Sequence, residues 1–270
     1  MGTRLGVLGA ILALTFTSGS AAAQSADASG TAPAAVPTAA PPDGHVVADD
    51  RIVEGSAGLK LLLGGSLWST PDNIPGGYEG IGFAGSAGGF AYGGAVYAEG
   101  RFFKYLGLEL DVGYDDTTLK RKVTFRGVVA GQAVSADVHE SVETSSMFFG
   151  LLIKGVVPAP FGRAWFGLGP QFKSAGSADG KLDGASFADG LIKAKAESST
   201  LLNLGLGMVI HAGDLIEIPI ELRAAKNLSQ EADWDKRVKL NTSGNTLTSY
   251  EVTAQSSWDF RLGLGVGARF

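Results

Sequence analysis

The chain has no cysteine, which excludes a disulfide framework and a cysteine-linked lipid anchor. Long apolar runs are missing too. Past the first residues, no window holds the 18 or so apolar residues of a membrane helix. Apolar residues at helical spacing are scarce, so little in the chain argues for a helical core. Positive charge is in deficit, with 22 Lys and Arg against 27 Asp and Glu, and this leaves no footprint for nucleic acid. What the chain does have is glycine, 40 of 270 residues, about twice the usual share of ~7 %. It also has strict alternation of apolar and other residues. Together these point to an all-β protein.

The start of the chain reads as an export signal over residues 1–23. Arg4 is its lone positive charge, Leu5 to Phe16 form a short apolar core, and Ser20-Ala21-Ala22-Ala23 offers small residues for cleavage before Gln24. Without Arg4 the 22 basic side chains become 21 against 27 acidic, a net charge of −6. The next stretch is rich in Ala, Pro, Ser and Gly and has no periodicity. Its Pro33, Pro37, Pro41 and Pro42 argue against helix and strand. Residues 24–55 are therefore expected to be a disordered tail, ahead of a folded part over residues 56–270.

Eight alternating segments follow. The first, Leu59 to Trp68, places Leu59, Leu61, Leu63 and Leu67 on one face, and the second runs from about Phe90 to Phe102. The third carries Leu106, Leu108, Leu110, Val112 and Tyr114, and the fourth Met147, Phe149, Leu151 and Ile153. The fifth carries Ala164, Phe166, Leu168 and Phe172, and the sixth Leu202, Leu204, Leu206, Met208 and Ile210. The seventh carries Ile216, Ile218, Ile220 and Leu222, and the eighth is the closing FRLGLGVGARF. Each approaches the 9–11 residues that a tilted strand needs to cross a bilayer.

The connections alternate in length. Turn residues join segments two and three at Lys104-Tyr105, four and five at Pro158 to Gly162, and six and seven at Ala212-Gly213-Asp214. The others, about 69–88, 116–145, 174–199 and 226–256, are long and polar. An even number of antiparallel strands with short turns at one end and long loops at the other predicts an eight-stranded up-and-down transmembrane β-barrel, closed because lipid cannot satisfy an open edge. Aromatic residues near segment ends (Trp68, Phe102, Phe103, Tyr114, Phe161, Trp258, Phe270) fit interfacial girdles.

The face opposite the apolar one predicts the lumen. It holds the acids Glu99, Glu109, Asp111, Glu217, Glu221 and Asp259 and the bases Lys60, Arg101, Lys154, Arg223 and Arg261. Buried charge must be paired, so this set reads as a salt-bridged plug, with a narrow ion path as the alternative. Gly167, Gly169, Gly205, Gly207, Gly263, Gly265 and Gly267 share that face and make room for long side chains or relieve curvature.

Trp258-Asp259-Phe260 through Arg269-Phe270 resembles the C-terminal signal of bacterial outer-membrane barrels, with Phe260, Leu262, Leu264, Val266 and Phe270 as its apolar positions. With the export signal and eight segments, residues 56–270 resemble the small OmpA/OmpX-like superfamily, with a porin-like barrel. The resemblance implies a bacterial outer-membrane location, contact with outer-membrane lipid, and recognition by the barrel assembly machinery. The peptidoglycan-binding domain of full-length OmpA-type proteins has no counterpart here, so that anchoring role is not expected.

Two local patterns bear on chemistry. Alternation would set His139, Ser141 and Glu143 on one side of a strand, a spacing that superficially resembles the His-x-Ser of outer-membrane lipid A deacylases. No wider motif surrounds it. The three Asp-Gly steps at Asp179, Asp183 and Asp189 read as turns, because the spaced carboxylates and closing Glu of a calcium loop are missing. No catalytic residue, metal or cofactor is expected. The partial alternation from Leu119 to Ser146, with a tip at Ala130-Gly131-Gln132, and from Arg237 to Val252, with a turn at Asn241 to Asn245, predicts hairpins that rise beyond the bilayer. The expected role is non-enzymatic, structural or surface-interacting, in a monomer. A small channel is the alternative, and a lipid-modifying enzyme the weakest third.

Overall fold

The computed structural model describes residues 53–68, 81–83, 87–129, 132–183, 190–230, 237–243 and 246–270. The expected export signal, almost all of the expected tail, the hairpin tip at Ala130-Gly131, and Gly184 and Asp189 of the last two Asp-Gly steps lie outside the described residues.

Thirteen strands are described: β1 (Val53–Trp68), β2 (Ile81–Phe83), β3 (Ala87–Phe102), β4 (Leu106–Val129), β5 (Gln132–Ala159), β6 (Gly162–Lys173), β7 (Ser177–Asp183), β8 (Ile192–Ala196), β9 (Ser199–Ala212), β10 (Ile216–Asn227), β11 (Val238–Ser243), β12 (Thr246–Ala254) and β13 (Trp258–Arg269). Eight of them close a ring in the order β1-β3-β4-β5-β6-β9-β10-β13, with β13 antiparallel to β1. The register of that closure runs from Ser56↔Arg269 to Leu67↔Trp258. Gly55 extends it, donating to and accepting from the Phe270 backbone at 3.0 and 2.9 Å. β1 thus starts at Val53, inside the stretch expected to be tail. A side chain at Gly55 would meet the Phe270 ring at 2.4 Å and would have to push it aside.

The tight turns gather at one end. Phe103 and Lys104 both have positive φ, 53° and 65°, and Tyr105 N–H donates to the Phe102 carbonyl at 3.3 Å. This is a type I′ hairpin turn built without glycine. The other two turns use glycine at positive φ, Gly162 and Gly213.

At that end and along the ring, the even residues of β4 and the odd residues of β5 point outward and are apolar. Leu106, Leu108, Leu110, Val112 and Tyr114 are exposed on β4, and Met147, Phe149, Ile153 and Val157 on β5. The same holds around the ring for Leu59, Leu61 and Leu63, for Phe166 and Leu168, for Leu204 and Leu206, and for Leu262, Leu264 and Val266. An apolar surface of this extent has no place in water. Leu106 to Tyr114 covers ~27 Å of strand at ~3.4 Å per residue, or roughly 20 Å after tilt, which suits a bilayer band. Among the described residues no helix is long and apolar enough to cross a membrane; the apolar band is carried by the outward residues of the strands.

The band ends at the pair Tyr114↔Met147. One step further, Asp116 accepts a hydrogen bond from Ser145. β4 and β5 nevertheless stay paired up to Val129↔Gln132. β2 adds to β4 and β7 to β5. A separate sheet, β11-β12-β8, contains the parallel pair β12–β8. Between these layers lies an apolar core that includes Trp68, Leu119, Val123, Val138, Val142, Leu182, Ile192, Tyr250 and Val252. The two expected hairpins therefore face each other across a second, small sandwich above the barrel, β4–β5 in one layer and β11–β12 in the other. The Asp179-Gly180 step is not a turn. It lies within β7, paired with Glu143 and Val142 of β5. Gly180 is the point where Ile192 and Ala194 of β8 approach, and a Cβ there would sit 2.9 Å from Ile192 Cδ1.

Candidate functional site: the ion-paired bore

Alternation sends every second side chain of the eight ring strands into the bore, and a ring of eight leaves room only for those side chains. All eleven expected lumenal charges lie there, each buried: Lys60, Glu99, Arg101, Glu109, Asp111, Lys154, Glu217, Glu221, Arg223, Asp259 and Arg261. They form three tiers.

Nearest the tight turns, Arg101 pairs with Glu54 at 3.2 Å and Glu99 at 3.5 Å, and Arg163 with Glu217 at 3.0 Å and Glu99 at 3.4 Å. Tyr97 donates its hydroxyl to Glu217 at 3.1 Å. His211 closes this end between Arg163 and Arg269, at 3.1 and 3.3 Å.

The middle tier is centred on Glu109, which accepts from Lys60 at 2.7 Å, Lys154 at 2.7 Å and Arg223 at 2.6 Å. Lys154 also reaches Glu99 at 2.6 Å, Lys60 reaches Glu221 at 2.9 Å, and Arg223 bonds Asp111. The two ammonium groups lie over aromatic rings, Lys60 over Tyr97 at 4.5 Å and Lys154 over Trp165 at 4.1 Å. The third tier sits below the loop end. Lys173 joins Asp115 and Asp259 at 2.7 and 2.8 Å, Arg261 joins Asp115 at 2.7 Å, and Ser66 donates to Asp259 at 2.5 Å. A cavity of about 20 Å³ between the upper tiers, lined by Phe148, Asn203, Arg223 and Asp259 among others, has room for about one water.

Charges of this kind cost several kcal/mol each to desolvate and persist only when paired. Here eight carboxylates (Glu54, Glu99, Glu109, Asp111, Asp115, Glu217, Glu221, Asp259) meet seven cations (Lys60, Arg101, Lys154, Arg163, Lys173, Arg223, Arg261). The glycines fit the room-making reading. A Cβ at Gly263 would fall 2.6 Å from Glu221 Cγ, and one at Gly267 would fall 2.1 Å from the Tyr97 hydroxyl.

Besides Glu54, which fell within the expected tail, three charged members of the network were not among the expected residues: Asp115, Arg163 and Lys173. Each is one step from an outward residue, Tyr114, Ala164 or Phe172, and alternation alone assigns it inward. They were missed because the segments were ended at their last apolar residue.

Among the described residues, the raised tier holds a buried ion pair on β4 and β5. Arg121 makes a two-pronged contact with Glu140 at 2.8 and 2.9 Å, and Tyr250 donates to Glu140 at 3.1 Å. The Arg121 guanidinium stacks over Trp68 at 4.7 Å. Burial, then the nearby Glu140 carboxylate, pushes the Tyr250 phenol well above its ordinary range, so it remains a donor. The pair was invisible in sequence because residues 116–145 read as a connection.

His139 and Ser141 lie on the outward side of β5 and share no hydrogen bond among the described residues. Ser141 is six residues beyond Met147, the edge of the apolar band. At ~3.4 Å per residue that is ~20 Å of strand away from lipid, which removes the geometric basis for lipid chemistry at this pair. Phe260, Leu262, Leu264 and Val266, the apolar positions of the C-terminal motif, face outward into the band on β13, and Phe270 follows at its turn end.

Ring, band and bore define the class: an eight-stranded antiparallel transmembrane β-barrel. No protein-family model matches the chain, and no curated protein does. Among solved structures, the chain is similar to the outer membrane protein OprG from Pseudomonas aeruginosa, at 14 % identity over 81 % of this chain and 95 % of that one, with a TM-score of 0.41. It is similar to the N-terminal β-barrel domain of Pseudomonas aeruginosa OprF, at 12 % identity over 80 % and 97 %, TM-score 0.34. It is also similar to Ail, the attachment invasion locus protein of Yersinia pestis, at 13 % identity over 82 % and 100 %, TM-score 0.28. The barrel assignment rests on the closed ring and its outward apolar band, not on these similarities.

Proposed function

We propose that this protein is a monomeric barrel of the bacterial outer membrane with a structural or surface-interaction role, its bore closed by ion pairs and its raised tier presented at the cell surface. The observation that supports this reading most is Glu109, held by three cations at 2.6–2.7 Å in the middle of the bore. A side chain so placed fills the cross-section and ties β1, β4, β5 and β10 together across it. Ions passing through would have to break bonds among buried charges that are costly to leave unpaired. The aromatic and aliphatic band faces outer-membrane lipid, and β13 carries the motif expected to be read by the assembly machinery.

The test is current through a planar bilayer containing the refolded protein, with folding shown by a heat-dependent shift in gel mobility. Wild type should be silent. Steady current steps in wild type, altered by Arg223→Gln, would overturn the closed bore and assign the protein to small channels.

A further inference from the structure

The outward face of the ring is apolar almost without exception. From Val53 to Leu67, from Gly88 to Phe102 and from Leu106 to Tyr114, no outward residue is charged, and the same is true of the outward residues of β6, β9 and β13 within the band. Outside the upper parts of β4 and β5, where outward charges begin at Asp116 and Glu143, the exception among the described residues is Lys226, on the loop-side rim of β10. It stands opposite Trp258 of β13 and Leu202 of β9. Its ammonium lies over the Trp258 ring at 5.2 Å, and Trp258 stacks on Phe260 at 6.1 Å between centroids. No carboxylate partner for it is present among the described residues.

Directly below Lys226 the wall is notched. The next outward residue of β10 is Ala224, flanked by Phe260 on β13 and Leu204 on β9. One row lower, Leu222 lies between Leu262 and Leu206. The small side chain between large neighbours leaves a groove of about 450 Å³, open to the outside and walled by Leu63, Leu204, Leu206, Leu222, Phe260 and Leu262. It descends from the rim into the band.

A cation held at the rim by an aromatic face, above an apolar groove that points to the middle of the bilayer, matches one ligand chemistry. We propose that Lys226, Trp258 and the Ala224 groove form a site for a single phosphate-bearing anionic lipid, its phosphate on the Lys226 ammonium and one acyl chain along Ala224. Charge complementarity selects this occupant. A second copy of this chain would bring an outward face whose described band residues carry no acid for Lys226. A zwitterionic lipid would set its own cation beside Lys226. The position also suits the residue types. Lysine and tryptophan both bind at the level of lipid headgroups, with their apolar parts below and their polar tips above.

The experiment is native mass spectrometry of the refolded full chain in detergent, titrated with dioleoylphosphatidylglycerol or dioleoylphosphatidylcholine. Wild type should take up one phosphatidylglycerol ahead of phosphatidylcholine. Lys226→Gln should lose about fivefold in affinity for phosphatidylglycerol only, the size expected for one lysine at an anionic surface. Ala224→Phe, which fills the notch with a side chain suited to lipid, should weaken both lipids. Because both variants lie on the lipid-facing surface, the heat shift in gel mobility verifies folding independently. The proposal is overturned if wild type shows no preference, if Lys226→Gln keeps it, or if Ala224→Phe binds like wild type.

Discussion

The hairpin β4–β5 passes through two regions with opposite interiors. Below Tyr114↔Met147 it shows Leu106, Leu108, Leu110 and Val112 to the outside and Glu109 and Asp111 to the inside. Above that pair the outward residues are Asp116, Thr118, Lys120 and Lys122, and the inward ones include Leu119, Arg121 and Val123. The even positions of β4 point outward in both regions, so strand geometry does not change. Only the chemistry reverses. The difference teaches that the surroundings, not the strand, decide which face may be polar. In lipid the outside must be apolar, and the leftover interior is stabilised by charge pairing. In water the ordinary rule returns, and the interior is stabilised by apolar burial.

The sharpest way to break this comparison is to remove a central charge from the lower region. Glu109→Ala leaves Lys60, Lys154 and Arg223 without their shared acceptor. Breaking a buried pair by deleting one partner costs about 3–5 kcal/mol, and here three partners lose it. Urea denaturation in lipid vesicles should show a loss of at least that order. Adding Lys154→Met to the same chain should recover part of the loss, because one stranded cation is gone. If Glu109→Ala unfolds at the wild-type midpoint, the bore is not held by its ion pairs.

The upper region should respond to a different kind of change. Leu119→Ala removes a buried side chain from the sandwich core beside Val123 and Val142. Such truncations cost about 2–5 kcal/mol through lost burial and the remaining cavity. The damage should stay above the bilayer. Limited proteolysis should cut the raised segments faster while the barrel keeps its heat-dependent gel shift. A simultaneous loss of the shift would show that the two regions unfold as one.

This contrast also explains what was legible in sequence. Within lipid the alternation is nearly free of exceptions, so eight segments, the inward charges and the three tight turns could be read directly. Above the bilayer the outward face mixes Thr, Ser, Lys and Asp, the inward face mixes Leu and Val with Arg121 and Glu140, and a polar loop gives much the same composition. β7 and β8 could not be foreseen, because their partners, β5 and the parallel β12, are set by tertiary contact. The Asp179-Gly180 step shows the same limit. Its local turn preference is overridden by a ladder with β5 and by the close approach of Ile192. At the band's edge, Asp115, Arg163 and Lys173 were lost because the apolar count stopped one residue short.

A smaller change sharpens the comparison inside the upper region itself. Tyr250→Phe deletes the hydroxyl that donates to Glu140 but leaves the bidentate Arg121 contact. One hydrogen bond to a charged group is worth about 1.5–3 kcal/mol. The loss should fall near the lower bound, since Arg121 still holds both carboxylate oxygens. Thermal unfolding of the raised segments, followed by tryptophan fluorescence from Trp68, should drop by a few degrees, with the bore unaffected.

The smallest effect belongs to the outer surface of the same tier, where Asp137 meets Lys122 at 2.6 Å and accepts from Thr124 at 2.7 Å. Those two bonds, the one from Lys122 first, hold the Asp137 carboxyl below its ordinary range. A depressed carboxyl stabilises the fold above its unfolded value, and that contribution is lost as pH falls through the lowered folded value. For an aspartate the window therefore lies below about pH 4. The two side chains are about half exposed to water, so salt should screen the pair. Lys122→Gln should move the Asp137 titration, followed by carboxyl NMR, back toward the ordinary range, and high salt should move wild type the same way. The buried Arg121–Glu140 pair, one step along the same two strands and facing the other side, is shielded from salt, so the stability lost in Glu140→Gln should not depend on ionic strength. Equal salt responses at the two sites would mean that the inner face of the raised tier is open to water, and the contrast between its two faces would fail.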